Sequence, residues 1–283
     1  MVSTHFREKA LVLARQLYPE LDGESLIAEA ERIFAYLSAN NYQNFVGLNL
    51  IAEDVVGFAE MLSLDHNSQG KQVPLVLRDY QRDLLSSWQD ESDQIILHAK
   101  NMGISLLLCV YALWISCFKP KTNLGYVVLG SNPMEIINRQ IRVLHGTCSV
   151  ALPRVYNWTR SSIQFENGSK ILFLKPNTYL LGHSLTHVLS DDTGHISFAD
   201  DENFYSTIMF ANTGQLIAAG VPGPNMGIFH DLATTHVVNA AVKKVPYSLH
   251  PDYTPAIEKK IRADIGHSAY ENQYNCQFKD YRS

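Results

Sequence analysis

The chain has 283 residues, 46% hydrophobic and 18% charged, which gives enough apolar content for a sizeable core and excludes a disordered chain. Its formal net charge of −5 excludes the strong basic excess of a stand-alone, non-specific nucleic-acid binder and leaves room for a local basic strip. Cys109, Cys117, Cys148 and Cys276 include no CxxC pair and no metal-finger spacing, so they read as reduced thiols of an intracellular protein.

The N-terminal stretch MVSTHFREKALVLARQLYP has no long apolar core and no cleavage signature, so it does not read as a secretory signal. From residue 3 to the LSL of residues 62–64 the pattern is helical. In ESLIAEAERIFAYLSA the apolar positions Leu26, Ile27, Ala30, Ile33, Phe34 and Leu37 recur at helical spacing. A second amphipathic stretch carries Ile51, Val55, Val56, Phe58, Ala59 and Leu62. The polar segment DHNSQGKQVP, with Gly70 and Pro74, reads as a loop. It divides the chain into a helical N-terminal lobe, residues 1–70, and a main domain, residues 71–283.

Beyond Leu75 short apolar strands alternate with helices. Strands are expected at Ile95–His98, Tyr126–Gly130, His187–Ser190 and Leu216–Gly220, and helices at Ser105–Phe118, Met134–His145 and Asp200–Ala211. The longest apolar run, 106–118, is too short to span a bilayer, so no membrane association is expected. Asn167-Gly168 marks a hairpin between Ser162–Glu166 and Ile171–Leu174. The alternation predicts an α/β fold with a mainly parallel sheet flanked by helices. In such sheets ligands bind beyond the carboxyl ends of the strands, so the segments that follow the strands are the candidates.

Three such segments, and one upstream of the first strand, carry chemistry, each with a plain structural alternative. Tyr80 can stack on a base and the Gln81 amide can read an adenine edge, or both sit on an amphipathic helix. The stretch His98-Ala99-Lys100-Asn101-Met102-Gly103-Ile104-Ser105 is a strand, a glycine turn and a helix start. It can cradle phosphate with its amides and offer the Ser105 hydroxyl to Mg²⁺, or be an ordinary turn. It departs from the GxxxxGK[ST] pattern, because His98 or Ala99 replaces the first glycine and Ile104 the lysine. Asp191 and Asp192 close an apolar strand, as acids that order Mg²⁺ and position water do, or they start a turn. The Val221-Pro222-Gly223-Pro224-Asn225 loop can sense a γ-phosphate or be a plain Pro/Gly turn.

Their order along the chain resembles one family, the large terminase subunit of tailed bacteriophages, over its N-terminal ATPase domain. The resemblance runs from Ala52 to Phe278. It is densest in VVGFAEMLSLDHNSQGKQVPLVLRDYQRDLL, in SIQFENGSKI, in Leu181-Gly182-His183-Ser184 with Val188–Asp192, in Ala219–Asn225, and in Tyr270–Tyr274 with Phe278. It implies a P-loop NTPase-like fold, with ATP and Mg²⁺ as cofactors. Tyr80 and Gln81 would then hold the adenine. Lys100 would be the relocated phosphate cation, with Asn101, Met102, Gly103, Ile104 and Ser105 around the phosphates. Ser105 and Asp191 would order Mg²⁺, Asp192 would activate water, and Gly220, Val221 and Pro222 would couple hydrolysis to movement.

The same resemblance implies a DNA-packaging motor in the host cell cytoplasm. It would form a homo-oligomeric ring on the portal protein of a capsid, with a small terminase subunit as partner and weak, transient contact with double-stranded DNA. Candidate strips for that contact are Lys119 with Lys121, Arg139 with Arg142, and Lys243-Lys244. Lys259, Lys260 and Arg262 read instead as a solvated helix face. No nuclease activity is expected of this polypeptide. Three positions depart from the family pattern: Leu181 in place of an arginine, Asp192 in place of a glutamate, and Ala219-Gly220-Val221 in place of hydroxyl-bearing residues. They leave open a second reading, a catalytically impaired relative that serves assembly or regulation.

Overall fold

The computed structural model describes residues 11, 14–15, 18–40, 51–66, 71–90, 92–129, 131–178, 184–235 and 238–280. In chain order they form helix α1 (Gly23–Asn40), α2 (Val55–Glu60), strands β1 (Ser63–His66) and β2 (Lys71–Pro74), α3 (Asp79–Gln89), β3 (Gln94–His98), α4 (Ile104–Phe118), β4 (Asn123–Val127) and α5 (Ser131–Thr147). Then follow β5 (Val155–Trp158), β6 (Ser162–Phe165), β7 (Lys170–Leu174), β8 (Leu185–Ser190), α6 (Asp201–Ser206), β9 (Asn212–Gly220), α7 (Ile228–Thr234), β10 (Ala241–Val245), α8 (Pro255–Ile265) and α9 (His267–Gln273).

Eight strands make one sheet in the order β10-β3-β9-β8-β4-β7-β6-β5. The pairs from β10 to β7 are parallel, and β6 and β5 extend the sheet in antiparallel fashion. The expected α/β class with a mainly parallel, helix-flanked sheet is what the structure has. Parallel strands covered on both faces are apolar throughout, and QIILH of β3 is buried at every position. Helix α4 has twelve of its fifteen residues buried, which makes it the central helix of the core. A polar network crosses that core. Tyr111 donates to the Gln215 side chain at 2.6 Å, and Gln215 Nε2 donates to the carbonyls of Trp88 (2.8 Å) and Ser92 (3.0 Å). No helix among the described residues is long and apolar enough to cross a membrane.

Several element boundaries differ from the sequence reading. The segment read as helical to residue 64 ends in a strand, and part of the DHNSQGKQVP loop is its partner: β1 and β2 pair antiparallel from Ser63↔Pro74 to His66↔Lys71. Tertiary bonds override the local helical period here. The Leu75 amide donates to the Leu62 carbonyl, and Thr147 Oγ1 donates to the Ser63 carbonyl at 2.6 Å. Strand β4 starts at Asn123, ahead of the expected Tyr126. Gly125 weakened the strand signal, yet a Cβ there would lie 2.8 Å from Leu185 and 2.9 Å from Leu174 on the two neighbouring strands. The helix expected over 200–211 is α-helical only to Ser206 and closes as a π turn over Thr207–Ala211. Strand β9 then begins at Asn212, four residues before the expected Leu216.

The Asn167-Gly168 hairpin ties off α4. The buried Asn167 Nδ2 donates to the carbonyls of Ser116 (2.8 Å) and Cys117 (3.0 Å), and its Oδ1 accepts from the Ser169 amide at 3.0 Å. These are carbonyls that a helix C-terminus leaves without intrahelical donors. Asn167→Ala is expected to lower unfolding free energy by about 2–3 kcal/mol, since buried polar groups lose their partners. Urea unfolding measures it, and an unchanged midpoint would show that the amide does not hold the helix end.

Candidate active site

The carboxyl ends of β3, β8 and β9 meet at one edge of the sheet. Strand β3 runs into the turn 99–103 and then α4. Two residues of that turn have left-handed backbone, Asn101 (φ 61°) and Gly103 (φ 75°). A Cβ on Gly103 would meet Gln81 Nε2 at 2.8 Å, so both the conformation and the space demand glycine. From behind, the turn is pinned at one oxygen. The Met102 carbonyl accepts from the Tyr80 hydroxyl (2.9 Å) and from Gln81 Nε2 (3.1 Å). Gln81 Oε1 in turn accepts from the Arg78 amide at 3.0 Å. Tyr80 and Gln81 are both buried, and both ends of the Gln81 amide are engaged by main chain. In this arrangement they shape the turn.

Ile104, at the position a P-loop gives to lysine, is buried in the core with Met102. Lys100 is exposed, and its amide donates to the Gln273 carbonyl at 3.0 Å. Ser105, in the first turn of α4, donates to Asp191 Oδ1 at 3.1 Å. The Asp192 amide donates to the same oxygen, also at 3.1 Å. The expected Ser105–Asp191 pair is therefore a direct contact across 86 residues of chain.

Burial pushes the Asp191 carboxyl up to about 6, with the neighbouring charge of Asp192 adding to it and the Ser105 hydrogen bond opposing it. A desolvated carboxylate beside a hydroxyl at a helix start suits Mg²⁺, which binds through one or two protein oxygens and keeps water and phosphate as its other ligands. Asp192 is exposed and takes left-handed backbone (φ 55°) as the cap of the short turn Thr193–His195. That conformation is one that aspartate tolerates better than most residues.

The segment after β9 presses on this acidic turn. A Cβ on Gly194 would lie 1.9 Å from the Val221 carbonyl oxygen, and one on Gly220 would lie 2.6 Å from the Gly194 nitrogen. Val221 and Pro222 are buried, and the Pro222 carbonyl accepts from Asn272 Nδ2 at 2.6 Å. The sequence reading includes Asn272 only as part of the Tyr270–Tyr274 segment, because a polar residue in a polar helix gives no sign of burial. Leu181 lies outside the described residues.

Of the basic strips, Arg262 is not a solvated cation. It pairs with Glu258 and Glu271, each at 2.7 Å, and stacks 3.8 Å from the centre of the Tyr270 ring. Arg142 lies over Trp158 at 4.6 Å, and Lys121 pairs with Glu20 at 2.6 Å.

No protein-family model matches the chain. Among solved structures the fold is similar to the HK97 bacteriophage large terminase, with a TM-score of 0.63 at 13% identity over 80% of this chain and 55% of that one. It is similar to the large terminase of a thermophilic bacteriophage solved in complex with ADP, with a TM-score of 0.56 at 13% identity over 72% and 54%. The large terminase ATPase domain of Thermus phage P74-26 gives 0.55 at 12% identity over 72% and 94%. The chain spans about half the length of the HK97 protein and of the ADP-bound terminase. At these identities the likeness is one of fold, and the fold is that of phage large-terminase ATPase domains.

The raised Asp191 value has a consequence for stability. In metal-free protein the folded chain holds a proton on Asp191 that the unfolded chain, with an ordinary value of about 3.9, has released. This group therefore lowers stability progressively as pH rises from about 4 to about 6, and by a constant amount above that. Asp191→Asn is expected to melt higher than wild type at pH 7.5 in EDTA, by at most about 3 kcal/mol, and to lose that advantage near pH 4. Thermal melts against pH read this out. Equal melting at pH 7.5 would mean the carboxyl is not desolvated.

Proposed function

We propose that this chain is the ATPase motor domain of a phage terminase large subunit, coupling ATP hydrolysis to translocation of DNA into a capsid. The observation that carries the reading is the Ser105–Asp191 contact, with Asp192 beside it, at the carboxyl edge of a large-terminase ATPase fold. Phosphates would lie against the amides of 101–105, with Lys100 swinging in as their cation from its exposed position. A lysine is a mobile point charge on a long stem and can do this from the far side of a turn. Bound Mg²⁺ would neutralise charge on the transferring phosphoryl group. Ser105 and Asp191 would hold it, and Asp192 would accept a hydrogen bond from the attacking water. Tyr80 and Gln81 would serve the nucleotide through the turn they pin. Gly220, Val221 and Pro222 would relay the state of the acidic turn, on which they rest.

The division into lobes belongs to the same proposal. Ile51, Val55, Phe58, Ala59 and Leu62 lie in the main core, whereas Ala14, Leu26 and Ala30 form a separate small cluster. This grouping supports a border of the ATPase body ahead of Ile51, earlier than the residue 70 read from the sequence. A ring on a portal protein, a small terminase subunit, transient contact with double-stranded DNA and the host cytoplasm complete the reading. Lys243 and Lys244 on the edge strand β10 remain the candidate contacts for DNA.

A second reading is a relative that binds nucleotide weakly or not at all and acts in assembly. Buried Ile104 and the short carboxylate of Asp192 favour it.

Calorimetry with Mg²⁺-ATP and phosphate release, measured with DNA and assembled rings, separates the two. Lys100→Ala is expected to weaken binding by about tenfold or more, the worth of a charge-assisted contact. Asp192→Asn is expected to retain binding and lose about 100-fold in phosphate release. No binding by wild type at millimolar ATP would sink the motor reading, and binding without hydrolysis in the assembled ring would favour the second.

A further inference from the structure

His98 is the last residue of β3 and stands where a P-loop has its first glycine. Its side chain is 7% exposed. Nδ1 lies 2.9 Å from the Ala99 carbonyl oxygen. A carbonyl only accepts, so Nδ1 carries the proton, and in the neutral ring Nε2 is a bare acceptor. Burial favours that neutral ring, and the titratable groups whose charges act on it are Asp192 and His195. Among the described residues nothing donates to Nε2, although the atom is buried. A buried acceptor without a partner is unfavourable and calls for a reason, a catalytic role or a bound water among them. A phosphate oxygen would not satisfy it, because phosphate also accepts. A water molecule would.

We propose that His98 orients the attacking water together with Asp192. The inference rests on the ATP-hydrolysis reading above. One O–H of the water donates to the Asp192 carboxylate and the other to His98 Nε2, which leaves an oxygen lone pair directed at the γ-phosphorus. The new O–P bond forms as the bond between the γ-phosphorus and the β,γ-bridging oxygen breaks. That electron pair leaves on ADP, the water's first proton passes to Asp192, and the second stays on the product phosphate, held by His98. Two acceptors fix a water that a carboxylate one methylene shorter than glutamate would leave free to rotate.

Two substitutions separate this role from a structural one. In His98→Asn the amide N–H₂ still reaches the Ala99 carbonyl while the Nε2 acceptor is gone. His98→Gln places an amide oxygen near the Nε2 position. Single-turnover phosphate release is expected to fall about 100-fold in His98→Asn and to recover in large part in His98→Gln. Mg²⁺-ATP affinity is expected to hold within about threefold, the pattern of an interaction made in the transition state. Wild-type turnover in His98→Asn would overturn the assignment.

A wild-type experiment guards against misfolded variants. The His98 Nε2 nitrogen resonance is followed on adding Mg²⁺ with ADP and aluminium fluoride, and with ADP alone. A shift with the fluoride complex only supports the role, and a complex that forms without moving Nε2 overturns it. No complex at all overturns the ATP reading and this inference with it.

Discussion

The site depends on a bare strand end. Strand β9 lies between β3 and β8, so Ser105 and Asp191 start on opposite sides of it. They meet at 3.1 Å because the turn after β8 folds directly over the exit of β9. Gly220 allows this, since a side chain there would strike the amides of Gly194 and Thr193 at 2.6 and 3.0 Å. Gly194 and Gly223 repeat the condition from the other side, with a Cβ on Gly223 falling 2.3 Å from the Gly194 carbonyl oxygen. Backbone packs on backbone between the acidic turn and the turn after β9. Larger residues at these three positions would lift the acid turn and part Asp191 from the helix start.

The phosphate turn obeys a different logic. In a P-loop the lysine after the glycine belongs to the site. Here Ile104 belongs to the core, and it anchors the start of α4 through apolar contact. The turn keeps its shape through hydrogen bonds on the Met102 carbonyl and the left-handed backbone at Asn101 and Gly103. Shape and charge are thus supplied by separate residues. The amides are placed without reference to any cation, and the positive charge has to come from a mobile side chain such as Lys100. The most strongly desolvated acid at this edge, Asp191, faces the helix start and not a fixed basic partner. Its ionised form is therefore favoured mainly by what binds there.

What the sequence disclosed follows from this division. Apolar runs with no alternation marked β3 and β8, because a parallel strand buried on both faces has no polar side to hide. The Asn167-Gly168 signal found its hairpin, because left-handed turns restrict residue type; Gly168 indeed has φ 82°. The Ser105–Asp191 contact was legible as two candidate ligands, though only the fold joins them. What stayed hidden was set by tertiary contact. The β1–β2 hairpin is polar in its second strand and holds by pairing and by docking on the end of α5. Strand β9 opens with Asn212-Thr213-Gly214-Gln215, where Asn212 and Gly214 speak against a strand, and Gln215 is there to satisfy core carbonyls. The sequence offers Gln81 as a reader of a base edge, and only the structure shows its amide also bonded to the Arg78 amide and the Met102 carbonyl. His98 gave no signal beyond filling a glycine position.

The closing segment is a further part of the site. Gln273 accepts from the Lys100 amide, and Asn272, one residue earlier, donates to the Pro222 carbonyl. Asn272 also donates to the Gln277 carbonyl at 2.8 Å, which fixes the tail after α9. Lys279 then donates to the Gly223 carbonyl and accepts from the Asn225 amide, extending a short parallel bridge along the turn after β9. Helix α8 is bound to the same unit through Arg262, Glu271 and Tyr270. The turn after β3 and the turn after β9 are therefore linked twice, once through the acidic turn and once through α9.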